Sequence, residues 1–127
     1  LSAVADKWSM PAWVEDLCGW LRFLAYESDA SGVLHLCQSG EPVSWHGYAV
    51  TALKCAVKHG LLPSLPPVAE QKLDEQAGFR DARPRHTAMS CERLASLMKR
   101  PVRTYEEAID LAVARYASDS TFLSRIS

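Results

Sequence analysis

Gly32-Val-Leu-His-Leu-Cys-Gln-Ser-Gly40-Glu-Pro-Val-Ser44-Trp-His-Gly-Tyr-Ala-Val-Thr-Ala-Leu-Lys-Cys-Ala-Val-Lys-His-Gly60 reads as a strand, a turn and a helix. Val33–Cys37 is a short apolar run closed by Gly32 on one side and Ser39-Gly40 on the other, the signature of a buried strand. Apolar on both faces, it suits a parallel sheet covered from both sides. Ser44 is placed to accept a backbone N–H at a helix start. The helix then carries Trp45, Tyr48, Ala49, Ala52, Leu53, Ala56 and Val57 at helical spacing, and Gly60 is its natural stop.

Outward from this unit the alternation continues. Ser2–Ala5 reads as a short strand ended by Asp6. Pro11 fits the first turn of a helix whose apolar face is Trp13, Leu17, Trp20, Leu21 and Leu24, with Glu15 and Asp16 near its positive end. Val68–Gln71 is a further strand, and 72–84 a polar surface loop. Ser90 caps a short helix bearing Leu94, Leu97 and Met98, which Pro101 breaks. Thr104-Tyr-Glu-Glu107 is a capping box opening a last helix with Tyr105, Ala108, Ile109, Ala112 and Tyr116 on one face, and 117–127 is expected to fray. The layout is α/β, with about four helices and a few short strands, too few for a complete nucleotide-binding sheet.

Composition narrows the function classes. The 127 residues are one domain's worth, 48% hydrophobic and 23% charged, with a formal charge of −1. Nucleic-acid and membrane-surface binders usually carry a basic excess that this chain lacks. No apolar run approaches the ~20 residues of a membrane span, and no signal peptide opens the chain, so a soluble, cytoplasmic protein is expected. Cys18, Cys37, Cys55 and Cys91 are widely spaced and read as reduced, mostly buried thiols. His35, His46, His59 and His86 do not cluster with them as a zinc site requires. His35 reads as a core histidine and His59 as a charge at a helix end. The chain begins at Leu1, inside a pattern, and is expected to be part of something longer.

The chemistry is sparse. The six glycines never form Gly-x-Gly-x-x-Gly, there is no P-loop, and no Ser sits in a nucleophile elbow. The four tyrosines are followed at +4 by Ala, Ala, Ile and Ser, so no Tyr-x-x-x-Lys pair exists to lower a phenol's pKa. Two features remain. Arg80-Asp-Ala-Arg83-Pro84-Arg85-His86 is a basic loop whose guanidinium groups suit phosphate, although a solvated loop explains it as well. Asp6-Lys7-Trp8 sets a charge pair beside a large aromatic at a strand-to-helix turn, where α/β proteins bind ligands; a packing Trp is the plainer reading. Ser44-Trp45-His46 is explained by capping and core filling.

Five segments in order resemble the C-terminal part of the extended short-chain dehydrogenases/reductases, in their dTDP-4-dehydrorhamnose reductase branch. That branch also contains the non-catalytic methionine adenosyltransferase β-subunit. Its Asp-Gln-x-Gly-x-Pro-Thr and aromatic-Val-x-Asp-Leu stretch is similar to Asp6-Lys-Trp-Ser-Met-Pro-Ala-Trp-Val-Glu-Asp-Leu17. Gly-x-Tyr-His-Leu resembles Gly32-Val-Leu-His-Leu36, and Ser-Trp-x-x-aromatic-Ala resembles Ser44-Trp-His-Gly-Tyr-Ala49. Arg83-Pro84 precedes Arg93-Leu94 at the family's spacing, and Tyr105-Glu-Glu-Ala-Ile109 matches the closing helix. Lys7, Ser9 and Ala12 depart from the pattern, standing where it has Gln, Gly and Thr.

The resemblance implies that residues 1–127 are a single sugar-nucleotide-binding domain of a Rossmann-type enzyme whose cofactor-binding part is absent. The whole enzyme would use NADPH or NADH to reduce the 4-keto group of a nucleotide-linked deoxysugar, toward dTDP-rhamnose for cell-surface polysaccharide. An epimerase or dehydratase of the same superfamily, or a regulatory binding subunit, is the alternative. By the same resemblance Arg83 faces the nucleotide diphosphate, while Lys7 and Trp8 lie on the turn facing the sugar cleft. The chain alone would hold no catalytic residue, cofactor or metal. Its partner would be the nucleotide sugar, with a homodimer as its assembly.

Overall fold

The structure, a computed structural model, describes residues 1–76, 78 and 81–119. Five short strands and four helices follow one another: β1 (Ser2–Val4), β2 (Trp8–Ser9), α1 (Val14–Tyr26), β3 (Val43–Ser44), α2 (Trp45–Lys58), β4 (Ala69–Gln71), β5 (His86–Thr87), α3 (Glu92–Met98) and α4 (Tyr105–Ser118). β1 pairs in parallel with β4, Ser2 opposite Ala69. A second small sheet has the order β3-β2-β5, with β2 antiparallel to β3 and parallel to β5.

The helices start and stop where local chemistry dictates. Ser44 Oγ accepts from Gly47 N at 3.0 Å to open α2, and Gly60 follows its end at φ +75°, a conformation costly for any side chain. Thr104 and Glu107 close a reciprocal capping box on α4. α1 begins later than the position of Pro11 suggests: Trp13 is its extended cap residue, and the Pro11 carbonyl instead accepts from Gln38 N at 3.0 Å. Ser90 sits one residue before the cap position of α3, which is Cys91, although Ser90 Oγ does take the Glu92 N–H at 3.2 Å. Lys99 ends α3 in the left-handed region, ahead of Pro101.

The core gathers around Trp20, Leu94 and Val102, with Leu17, Leu34, Leu36, Cys91, Ala95 and Met98 packed against it. Ala108 and Ile109 are buried on α4, against which α2 packs. Of the expected stripe on α1, Trp20 is buried and Leu21 stands 51% exposed, while Val14, Cys18 and Ala25 also face outward. Leu73 is buried within a single 3-10 turn, Leu73–Glu75, so the segment expected to be a polar surface loop has an apolar anchor.

Val33–Cys37 is not a strand. Leu34 and Leu36 pack onto the core, but no strand pairs with the run among the described residues. A strand is defined by its ladder, and local apolarity cannot supply the neighbour. His35 is accordingly exposed rather than a core histidine. Of the cysteines only Cys37 is buried; all four are free, and Cys18 is exposed. α4 is intact through Ser118, and the remainder of the stretch expected to fray, from 120 onward, lies outside the described residues.

Candidate functional site

Lys7, Trp8 and Arg83 come from chain positions more than seventy residues apart, and the structure brings their segments together. β2 and β5 lie side by side with Trp8 opposite His86, so the turn carrying Arg83 and Pro84 runs directly into the strand beside Trp8. Trp8 N donates to Arg85 O at 2.7 Å, and Thr87 Oγ1 donates to Trp8 O at 3.3 Å. Lys7 is buried, and its Nζ donates to Pro84 O at 2.7 Å and to Thr87 Oγ1 at 3.4 Å while lying 5.8 Å from the centre of the Trp45 ring. Trp8 is 37% exposed, and Arg83 lies in an exposed stretch.

Not every cation of the basic loop is available to a ligand. Arg85 pairs with Asp6 and, at 2.6 Å, with Asp74. Asp6 uses its other oxygen to accept from Leu73 N at 2.7 Å. Two carboxylates therefore hold one guanidinium, and they fasten the loop to the β1–β2 turn and to the Leu73 anchor. Arg80 lies outside the described residues.

One cavity lies just past the carboxyl ends of β2 and β5, where Met10 and Met89 line it. It measures about 320 Å³ and is lined by Met10, Gln38, Gly40, Met89, Cys91 and Glu92, among others. Strand carboxyl ends are where α/β folds place ligands, and this size reaches the lower end of small-molecule sites. Lys7, Trp8 and Arg83 do not line it. A second cavity, about 110 Å³, is framed by Trp13, Tyr48, Tyr105 and Ile109. Burial, helped by Glu106, pushes the Tyr105 phenol up to about 12, the opposite of what a proton-transferring tyrosine needs.

Gln38 is the polar residue that sequence reading missed. It is 1% exposed, and its side chain accepts from Trp13 N at 3.1 Å and donates to Asp16 at 3.0 Å and to Arg103 O at 3.3 Å. Arg103 Nε reaches the same Asp16 oxygen at 3.1 Å, and its guanidinium lies 5.6 Å from the Trp13 ring centre. Ser39 adds a bond from its hydroxyl to Val102 O at 2.7 Å. This network fixes the floor of the larger cavity to α1 and to the start of α4. Its only trace in the sequence is a polar pair, Gln38-Ser39, closing an apolar run.

Ser44 and Thr104 each take one backbone N–H at the starts of α2 and α4, and Gln38 takes the Trp13 N–H before α1. No group of three His, Cys, Asp or Glu among the described residues can hold a metal ion. Nor is any helix among them long and apolar enough to cross a membrane.

A family described as the RmlD substrate binding domain matches residues 1–118. The crystal structure of dTDP-4-dehydrorhamnose reductase from Bacillus anthracis str. Ames, in complex with NADP, has a similar fold, with a TM-score of 0.65 at 22% identity. The likeness covers 87% of this chain and 35% of that one, so the chain spans about a third of the reductase's length. No curated protein matches the chain.

Proposed function

The chain belongs to the RmlD substrate binding domain family, and on that footing we propose that it is the sugar-nucleotide-binding portion of a dTDP-4-dehydrorhamnose reductase-like enzyme. The whole protein reduces the 4-keto group of a nucleotide-linked deoxysugar in the cytoplasm, with NADPH or NADH as hydride donor. The sequence of residues 1–127 has neither Gly-x-Gly-x-x-Gly nor a Tyr-x-x-x-Lys pair, so that chemistry is assigned to the remainder of such an enzyme. Arg83, Lys7 and Trp8 form the site for the sugar nucleotide. A guanidinium meets the diphosphate oxygens in a bidentate fork, and an exposed indole offers a flat apolar face.

The observation that supports this reading is the fastening of the Arg83–Pro84 turn to the β2 segment, beside Lys7 and Trp8. The run Val33–Cys37 supports the reading of a portion, since its length and composition suit a parallel strand whose neighbour belongs to the rest of such an enzyme. Lys7, Ser9 and Ala12 depart from the reductase pattern, and they favour an epimerase, dehydratase or non-catalytic binding subunit of the same superfamily as the second reading.

Titrating dTDP into the chain and following backbone NMR shifts tests the site. Shifts are expected at Trp8 and across 81–87, with Arg83→Gln weakening binding about tenfold through loss of a charge-assisted bidentate contact. Saturating dTDP that moves neither segment overturns the assignment.

A further inference from the structure

Lys7 is the most buried charged side chain among the described residues, 7% exposed, and its partners are neutral. An ammonium has three donor protons, and three partners surround this one. They are the Pro84 carbonyl at 2.7 Å, the Thr87 hydroxyl at 3.4 Å and the Trp45 ring with its centre at 5.8 Å. Removing an ammonium from water is costly unless each donor is satisfied. A short charge-assisted bond and a cation–π contact offset that cost here.

The three partners lie on three segments: the turn before β5, β5 itself and the first residue of α2. Backbone bonds run between the same segments. Trp8 N donates to Arg85 O, and Trp45 N donates to Lys7 O at 3.3 Å. Arg83 is flanked by Pro84, whose carbonyl Lys7 grips, and Pro84 is followed by Arg85, which two carboxylates grip.

We infer that Lys7 is a positioning residue: its ammonium fixes the Pro84 carbonyl and so sets the path of the Arg83–Pro84 turn along β2. The bearing of this on ligand binding rests on the sugar-nucleotide reading above. A glutamine at position 7, as the reductase pattern has, is shorter, uncharged and planar, and it cannot serve all three partners. The turn in this chain is therefore held by charge where the pattern has an amide.

The test is hydrogen exchange resolved by residue on the full chain, comparing wild type with Lys7→Met and Lys7→Gln, followed by dTDP titration of each. The Trp8 amide, closed by Arg85 O, reports on the turn, and amides within α2 and α4 report on the rest. Lys7→Met is expected to speed exchange at Trp8 at least tenfold with α2 and α4 little changed, and to weaken dTDP at least fivefold. Lys7→Gln should fall between, and it carries the comparison if the Met variant does not fold. Unchanged exchange at Trp8 overturns the inference. So does an even rise across all amides, which would make Lys7 a general prop of the fold. Selective opening at Trp8 with no dTDP binding even in wild type sustains the positioning role and overturns the sugar-nucleotide reading instead.

Discussion

The side-chain amide of Gln38 donates to the carboxylate of Asp16 at 3.0 Å, and the Nε of Arg103 shares that oxygen at 3.1 Å. Three segments distant in sequence thus meet at one carboxylate beneath the surface. Replacing Gln38 by Leu strands the Trp13 N–H, while the Arg103 carbonyl keeps the Ser39 N–H at 3.0 Å and Asp16 keeps Arg103. A buried group left unpaired costs on the order of 1–3 kcal/mol, so a loss of about 2 kcal/mol is expected. Urea denaturation measures it, and a loss below about 1 kcal/mol contradicts the network's role.

Asp110 lies at the α2–α4 contact, where Lys58 Nζ approaches at 2.7 Å and His59 Nε2 at 2.9 Å. The hydrogen bond from Lys58, followed by that from His59, holds its carboxyl below the ordinary value of 3.8. A carboxyl depressed by folding stabilises the protein above its unfolded pKa, and that contribution fades as pH falls below about 4. Asp110→Asn should therefore differ from wild type at pH 7 and converge with it as pH falls through the lowered pKa of the carboxyl. Denaturant midpoints across that range decide it, and a constant offset would contradict the assignment.

Cys37 is fully buried, and burial, with a contribution from Cys91, pushes its thiol up to about 11. Cys18 is exposed on α1. Iodoacetamide at pH 8 should label Cys18 first and Cys37 last, because the thiolate is the reactive form and access limits the rest. Timed peptide mass spectrometry gives the order, and early labelling of Cys37 would show that the segment opens freely.

Leu94 is fully buried in the cluster with Trp20 and Val102. Leu94→Ala should cost about 3 kcal/mol, since the surrounding side chains close only partly over the void. Thermal and urea unfolding measure it. A cost near zero would place the core elsewhere.

Local chemistry made α2 and α4 legible, because a Ser or Thr cap, a periodic face and a terminal Gly act within one turn of the chain. β1 and β4 were legible as short segments between turn-forming stretches, and the five segments of the family resemblance were legible as motifs in order. β2, β3 and β5 were not, for each is two residues long and exists only through a neighbour up to 78 positions away, as Trp8 and His86 show. Val33–Cys37 failed in the opposite sense, being locally strand-like with nothing to pair against. In the candidate site, Lys7, Trp8 and the Arg83 loop were picked out one by one from charge and aromaticity. Their juxtaposition, the commitment of Arg85 to Asp6 and Asp74, and the burial of Lys7 and Gln38 are tertiary facts.

The run at 33–37 is held by its ends. Arg93 grips the Ser31 and Val33 carbonyls at 2.6 Å each, and Gln38 N is tied to Pro11. A side chain from α3 and backbone from the entry to α1 thus do the fastening that a sheet ladder does elsewhere, and they keep Leu34 and Leu36 against the core.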